Sequence, residues 1–151
     1  MLYALSIIWR FGVGGLTGLF LSTMGVDIHL HDTYFVVAHF HFVMVGSAIF
    51  AFIGGIYYWM PKMYGRMPSE RLGRLTWLLN FIGFNLTFLP QFVAGTKGMP
   101  RRYFDYDPQF ATYNWWSSIG AMFILVGMVL TLVAIIHAIK RGRPAPANPW
   151  G

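Results

Sequence analysis

The chain has 151 residues, 56% of them hydrophobic and only 11% charged, with a net charge of +6 and no cysteine. That balance excludes an ordinary soluble domain, and the lack of cysteine excludes disulfides, thiolate metal sites and iron–sulfur clusters. The basic surplus would suit nucleic acid, but the basic residues mostly lie in loops between long apolar runs, where membrane topology accounts for them.

Four apolar runs, roughly 2–24, 33–60, 72–95 and 115–139, can each cross a bilayer, and a tail follows at 140–151. A crossing takes about 20 residues. The predicted fold class is therefore all-α, a polytopic membrane protein with four transmembrane helices. The first run is long, with no charged head and no small-residue cleavage site, so it does not read as a cleavable signal peptide. Its Gly14-x-x-x-Gly18 spacing lets helix backbones approach closely. Arg10 is the odd residue there, since a cation within a span costs roughly 2.5–3.5 kcal/mol on insertion scales. It is expected to snorkel toward the surface or to pair with an acid elsewhere.

The loop after the second run carries Lys62, Arg66, Arg71 and Arg74 against Glu70, and the tail carries Lys140, Arg141 and Arg143. The loop after the first run has Asp27 and Asp32 and no Lys or Arg. The positive-inside rule puts both termini and the middle loop on the cytoplasmic side, or the matrix side of a mitochondrial membrane. The third run is interrupted by Asn80, Asn85, Thr87, Pro90 and Gln91, which predicts heavy burial by neighbouring helices, with a polar pore lining as the alternative. In the 96–114 loop, Lys97, Arg101 and Arg102 lie near Asp105 and Asp107. These read either as a loop in balance or as arginines meeting anionic groups, to which the planar guanidinium makes paired hydrogen bonds. Trp115 and Trp116 read as interfacial anchors, and the proline-rich tail as an extended surface segment. There are no internal repeats.

Three of the five histidines fall within Leu30–Phe42, where the second span begins. At about 100° per residue, His39 and His41 point about 200° apart. They cannot clasp one metal from one face, but each can present an imidazole to a different partner. The alternative is two buried histidines hydrogen-bonded to neighbouring helices. With a helix start near Thr33 they lie about 9–12 Å deep, a depth that suits a haem with buried iron and carboxylates at the surface, and imidazole is a common axial haem ligand. His31 and Asp32 are adjacent at the outer end. An imidazole beside a carboxylate suits a divalent ion, and Asp32 can equally cap the second span.

His31-Asp32-Thr33-Tyr34, followed by Val36-Val37-Ala38-His39-Phe40-His41, resembles the tenth transmembrane helix of subunit I of haem-copper cytochrome c oxidases. Gly14-Gly15-Leu16-Thr17-Gly18 upstream and Gly98-Met99-Pro100-Arg101-Arg102-Tyr103 downstream match the same family in the same order, as do Pro61 and Gly65. The likeness covers nearly the whole chain and corresponds to the last four of about twelve helices.

The resemblance implies specific roles. His39 would be the proximal ligand of a high-spin haem, His41 one of two axial ligands of a low-spin haem, and Phe40 would lie between the two haems. Arg101 and Arg102 would meet haem propionates, with Asp27 near those of the high-spin haem. His31 and Asp32 would be magnesium ligands, completed by subunit II and water. The implied cofactors are two haems of the A type and magnesium, with copper held by histidines of the upstream part. The implied partners are the remainder of subunit I with that copper site, subunits II and III, cytochrome c and membrane lipids, and no nucleic acid. The implied activity is electron transfer from cytochrome c to oxygen coupled to proton translocation, in a bacterial plasma membrane or mitochondrial inner membrane. The chain alone lacks the copper ligands, so it reads as a fragment or a split subunit, although Met1 also allows a separate chain. A quinol oxidase of the same superfamily is the nearest alternative, which Asp32 disfavours because those relatives often carry Asn there. A non-redox four-helix membrane scaffold is the alternative of a different class. Arg10 departs from an apolar family position, as does His29, to which no role is assigned. His137 reads as a packing or interface histidine.

Overall fold

The computed structural model describes residues 1–150. Helix α1 (Leu2–Ser22) ends where Thr23 turns extended, and a short helix α2 (Met24–Leu30) follows that hydropathy had merged with the first span. Asp32 then takes a left-handed backbone, φ 56°. The second span is one rod from Tyr34 to Tyr64, with an α segment α3 (Tyr34–Phe40), a π stretch (His41–Ile49) and an α segment α4 (Phe50–Tyr64). It runs one turn beyond its expected end, carrying Pro61 inside it, until Gly65 closes it with φ 63°. Glycine takes that conformation without a Cβ penalty. Helix α5 (Glu70–Thr96) starts at Ser69, whose Oγ accepts the Leu72 N–H at 3.5 Å. Helix α6 (Ala111–Arg141) follows a 3₁₀ turn at Pro108–Phe110. These are four helical rods long and apolar enough to cross a membrane.

Helix α5 is the most enclosed, with 44% of its most apolar window buried against 17–28% in the other three. This is the burial its mixed sequence called for: a polar side chain in lipid is costly unless a neighbouring helix satisfies it. Asn80 Nδ2 donates to the Thr76 carbonyl at 2.8 Å and to Thr131 Oγ1 of α6 at 3.2 Å, and Ser117 of α6 donates to the Thr87 carbonyl at 2.7 Å. Small residues Ser117, Gly120, Gly127, Thr131, Ala134 and Ala138 form the buried stripe of α6, so the two backbones come close. On α1, Gly14 backs onto Phe42 and Val43, and Gly18 onto His39. Phe35, Phe42, Phe50, Phe84, Phe88 and Phe92 fill the centre.

At the outer end the 97–103 segment is laced to the start of the second span. Tyr34 N–H donates to the Met99 carbonyl and Arg101 N–H to the Asp32 carbonyl, both at 2.9 Å. At the other end Arg66–Met67 (β1) pairs antiparallel with Arg143–Pro144 (β2), and the Trp150 ring stacks on Tyr58 at 5.7 Å. The tail is therefore folded back on the bundle. Arg10 neither snorkels nor pairs with an acid; it is fully buried, because phenylalanines and Gly46 close around it.

Candidate functional site

His39 and His41 turn to different helices. His39 faces α1, with Nδ1 3.2 Å from Thr17 Oγ1. The Thr17 hydroxyl is 2.9 Å from the Val13 and Gly14 carbonyls and gives its proton to that pair, so its oxygen accepts from His39 Nδ1–H. A Cβ on Gly18 would lie 3.0 Å from His39 Cε1, so the glycine makes room for the ring. His41 faces α5, its ring stacked on Phe88 with centroids 4.3 Å apart. Its Nδ1 lies 2.8 Å from the Val37 carbonyl, which can only accept, so Nδ1 carries the proton. In the neutral form each imidazole thus keeps its proton on Nδ1 and presents Nε2, which has no protein partner among the described residues. A histidine that ligates a metal ordinarily donates its other ring N–H in this way, which fixes tautomer and orientation. The donor set fits two haem irons, one on each side of the rod.

Phe40 lies beside His41, ring centroids 4.5 Å apart. The π stretch begins at His41 itself. Such i→i+5 segments are rare, occur mostly as single-turn bulges inside α-helices, and are frequent at functional sites. Hydrophobic periodicity does not signal it.

The outer-face residues form a second cluster. Arg101 holds Asp32 Oδ1 through Nε–H at 2.6 Å and through Nη2. His31 lies between two carboxylates, with Nε2 3.6 Å from Asp32 Oδ2 and Nδ1 3.9 Å from Asp27 Oδ2. The Arg101 hydrogen bond holds the Asp32 carboxyl below the usual carboxylate range, with weaker pulls from His31 and Arg102. Arg102 is exposed and left-handed, φ 59°. Asp32 does not cap the second span: Thr33 Oγ1 accepts the Phe35 N–H at 3.3 Å instead, because the left-handed Asp32 turns its carboxylate to Arg101. Among the described residues no three His, Asp or Glu side chains converge to hold a metal ion. His31 and Asp32 therefore offer two donors, a partial set that fits a magnesium ion only with water and outside ligands, as that ion usually takes. His29 is exposed, and His137 lies in a cleft beside Arg71, Arg141 and Arg143.

Thr17, Gly18 and the Val37 carbonyl support the imidazoles, a role that the sequence alone does not show. Gly14, Thr17 and Gly18 stand three and four residues apart, hence on one helix face, and that shared face is the one signal that points to them.

The family described as "Cytochrome C and Quinol oxidase polypeptide I" matches residues 1–123. The chain is 49% identical to cytochrome c oxidase subunit 1 of Thermostichus vulcanus, over 100% of this chain and 27% of that protein. It is 47% identical to the subunits 1 of Bacillus sp. (strain PS3) and of Cereibacter sphaeroides, covering 100% and 99% of this chain and 25% and 26% of theirs. A solved chain of a heme-copper terminal oxidase dimer superimposes with a TM-score of 0.83 at 21% identity, over 97% of this chain and 28% of that one, a likeness of fold. The chain spans about a quarter of the length of these relatives. The sequence likeness and the four-rod membrane fold lead to one conclusion: this chain belongs to the cytochrome c and quinol oxidase polypeptide I family, of which it makes up a subunit I portion.

Proposed function

We propose that residues 1–151 are the C-terminal portion of the catalytic subunit of a terminal respiratory oxidase, and that the chain supplies axial ligands to two haems. The reading rests on one observation: two imidazoles one residue apart, each with Nδ1 committed to the protein and Nε2 open, directed to opposite neighbours. His39, which faces α1, would hold the high-spin haem, and His41, which faces α5, the low-spin haem. When bound, the two haems carry electrons one at a time and bring them to oxygen.

The chain's own contribution is orientation and exclusion of water. Thr17 and the Val37 carbonyl hold the two rings in the tautomer that leaves Nε2 free, and Phe40 and Phe88 clamp the His41 ring from both faces. A polarised Nδ1–H makes Nε2 a stronger donor to iron. At the outer face Arg102, and the one Arg101 nitrogen that Asp32 leaves free, meet the haem carboxylates, with Asp27 beside them; Arg101 is thus shared between Asp32 and that role. His31 and Asp32 give two donors to a magnesium ion whose remaining ligands come from water and subunit II. The copper site lies in the rest of subunit I, and subunits II and III complete the complex.

A reduced-minus-oxidised spectrum of the intact complex carrying His41→Ala tests the assignment. Loss of the low-spin haem signal is expected; a normal signal overturns it. The electron donor is cytochrome c, because Asp32 keeps a carboxylate where quinol-oxidising relatives often have an amide. Steady-state oxidation of reduced cytochrome c and of a quinol by the same preparation decides this, and turnover with quinol alone overturns it.

A further inference from the structure

Arg10 is the only charged side chain among the fully buried described residues. It sits about 12 Å along α1, well inside the span. The chain's five acids, Asp27, Asp32, Glu70, Asp105 and Asp107, lie at helix ends or in loops, and the ion pairs they make involve His31, Arg74 and Arg101. Only Nη2 of Arg10 finds an acceptor, the Asn80 carbonyl at 3.4 Å, while Nε and Nη1 have none. The guanidinium carbon lies 3.5 Å from the Phe50 ring centroid, 4.7 Å from that of Phe84 and 5.2 Å from that of Phe81. The ring faces attract a cation, but they carry no net charge, so the positive charge stays uncompensated. With 0% of Arg10 exposed, no carboxylate from outside this chain reaches it without displacing the residues around it.

The charge is close to His41 along two routes. Gly46 lies five residues after His41 in the π stretch, one π turn away. A Cβ there would stand 3.0 Å from Arg10 Cδ, so Arg10 occupies the space that Gly46 leaves. On α5, Phe84 and Phe88 are one turn apart with ring centroids at 4.7 Å. Phe84 lies against Arg10 and Phe88 against the His41 ring. Arg10 therefore stands at the foot of a file of two contacting rings, Phe84 and Phe88, whose top is the imidazole, in an apolar setting where salt does not screen it.

We propose that Arg10 sets the redox equilibrium of the centre ligated by His41, holding it at a higher midpoint potential than an apolar residue would. The proposal rests on the ligand role of His41 given above. One electron arriving from a donor lowers the net charge of that centre by one, with no bond made or broken. A fixed positive charge nearby favours the less positive, reduced form, and at such separations in a protein interior Coulomb's law makes the effect on the order of tenfold in the equilibrium ratio. Arg10 touches neither the iron nor a substrate; it acts through its field.

The test is a mediated redox titration of the low-spin haem in the intact complex, followed by its absorption band. Arg10→Met and Arg10→Gln both remove the charge, and Gln keeps a donor for the Asn80 carbonyl, so a packing failure of one leaves the other. Each neutral variant is expected to shift the equilibrium about tenfold toward the oxidised form, about 59 mV downward for a one-electron couple. Arg10→Lys, which keeps the charge, is expected to titrate close to the parent. Neutral variants that titrate with the parent overturn the proposal, as does a lysine variant shifted as far as the neutral ones. A low-spin signal that survives His41→Ala instead overturns the ligand assignment, so the two failures are distinct.

Discussion

Arg101 and Asp32 stand 69 positions apart in the chain and hold each other at the outer face, with Arg101 Nε–H donating to Asp32 Oδ1 at 2.6 Å. The contact fastens the loop after α5 to the start of the second span, which carries His39 and His41 five and seven residues after its first residue, Tyr34. Two backbone hydrogen bonds, which together form the Thr33–Pro100 bridge, reinforce it.

This pair carries a pH signature. Asp32 is held below the usual carboxylate range by the Arg101 hydrogen bond, so as pH falls the unfolded chain takes up a proton there before the folded one does. Its contribution is complete above the ordinary Asp value of about 3.9 and is lost as pH falls through the lower folded value. Hydrogen exchange at the Arg101 amide, corrected for intrinsic rate, is expected to be flat from about pH 8 to 5 and to quicken only below about pH 4. Asp32→Asn is expected to raise exchange across the whole range. An unchanged rate in that variant would show that the loop is held by its backbone alone.

Thr17→Val keeps the shape of the side chain and removes the acceptor for His39 Nδ1–H. Lost support of this kind typically lowers metal affinity or activity 10- to 100-fold. The expected result is a lower iron–histidine stretching frequency of the high-spin haem in the Raman spectrum, with the low-spin band unmoved. Thr17→Ser is expected to restore the parent spectrum. If the valine variant shows the parent frequency, the hydroxyl does not orient the ring.

Gly95→Ala tests the packing that holds the two spans together. A Cβ at Gly95 would overlap the backbone of Phe35, and no rotamer change relieves a backbone clash. Overpacking of this kind costs about 1–3 kcal/mol, read as a lower thermal midpoint of the purified complex. An unchanged midpoint would mean that α3 and α5 shift apart freely.

Thr33→Val removes the oxygen that caps the second span while keeping the branched shape. Loss of a cap of this type costs about 1 kcal/mol. Faster amide exchange at Phe35 is the expected readout, and an unchanged rate would assign the cap to another group.

Residue type and spacing placed the His39–Phe40–His41 motif and the four spans, with boundaries off by a few residues, the second span running on through Pro61 until Gly65 ends it. Helix α2 was hidden because its seven residues continue the apolar run of α1, and only the extended Thr23 separates them. Asp32 was legible as a residue that matters but not as the partner of Arg101, since both the cap and the metal reading were local to the motif. Arg10 was visible as an anomaly, and its fate was not, because the three phenylalanines and the glycine that enclose it come from α4, α5 and the π stretch.

What the sequence by itself determined is the class of the protein: a backbone that crosses lipid must satisfy its hydrogen bonds within each span, so about 20 apolar residues in a row already specify a helix. It also determined that two histidines on one rod point apart, since helix geometry is a property of adjacent residues. The tertiary structure alone decided which ring nitrogen is free, which acid meets Arg101, and that Arg10 is enclosed by the bundle. Each depends on atoms contributed by segments tens of residues away, whose approach is set by side-chain volume and the small residues between helices, and no local period in the chain records that.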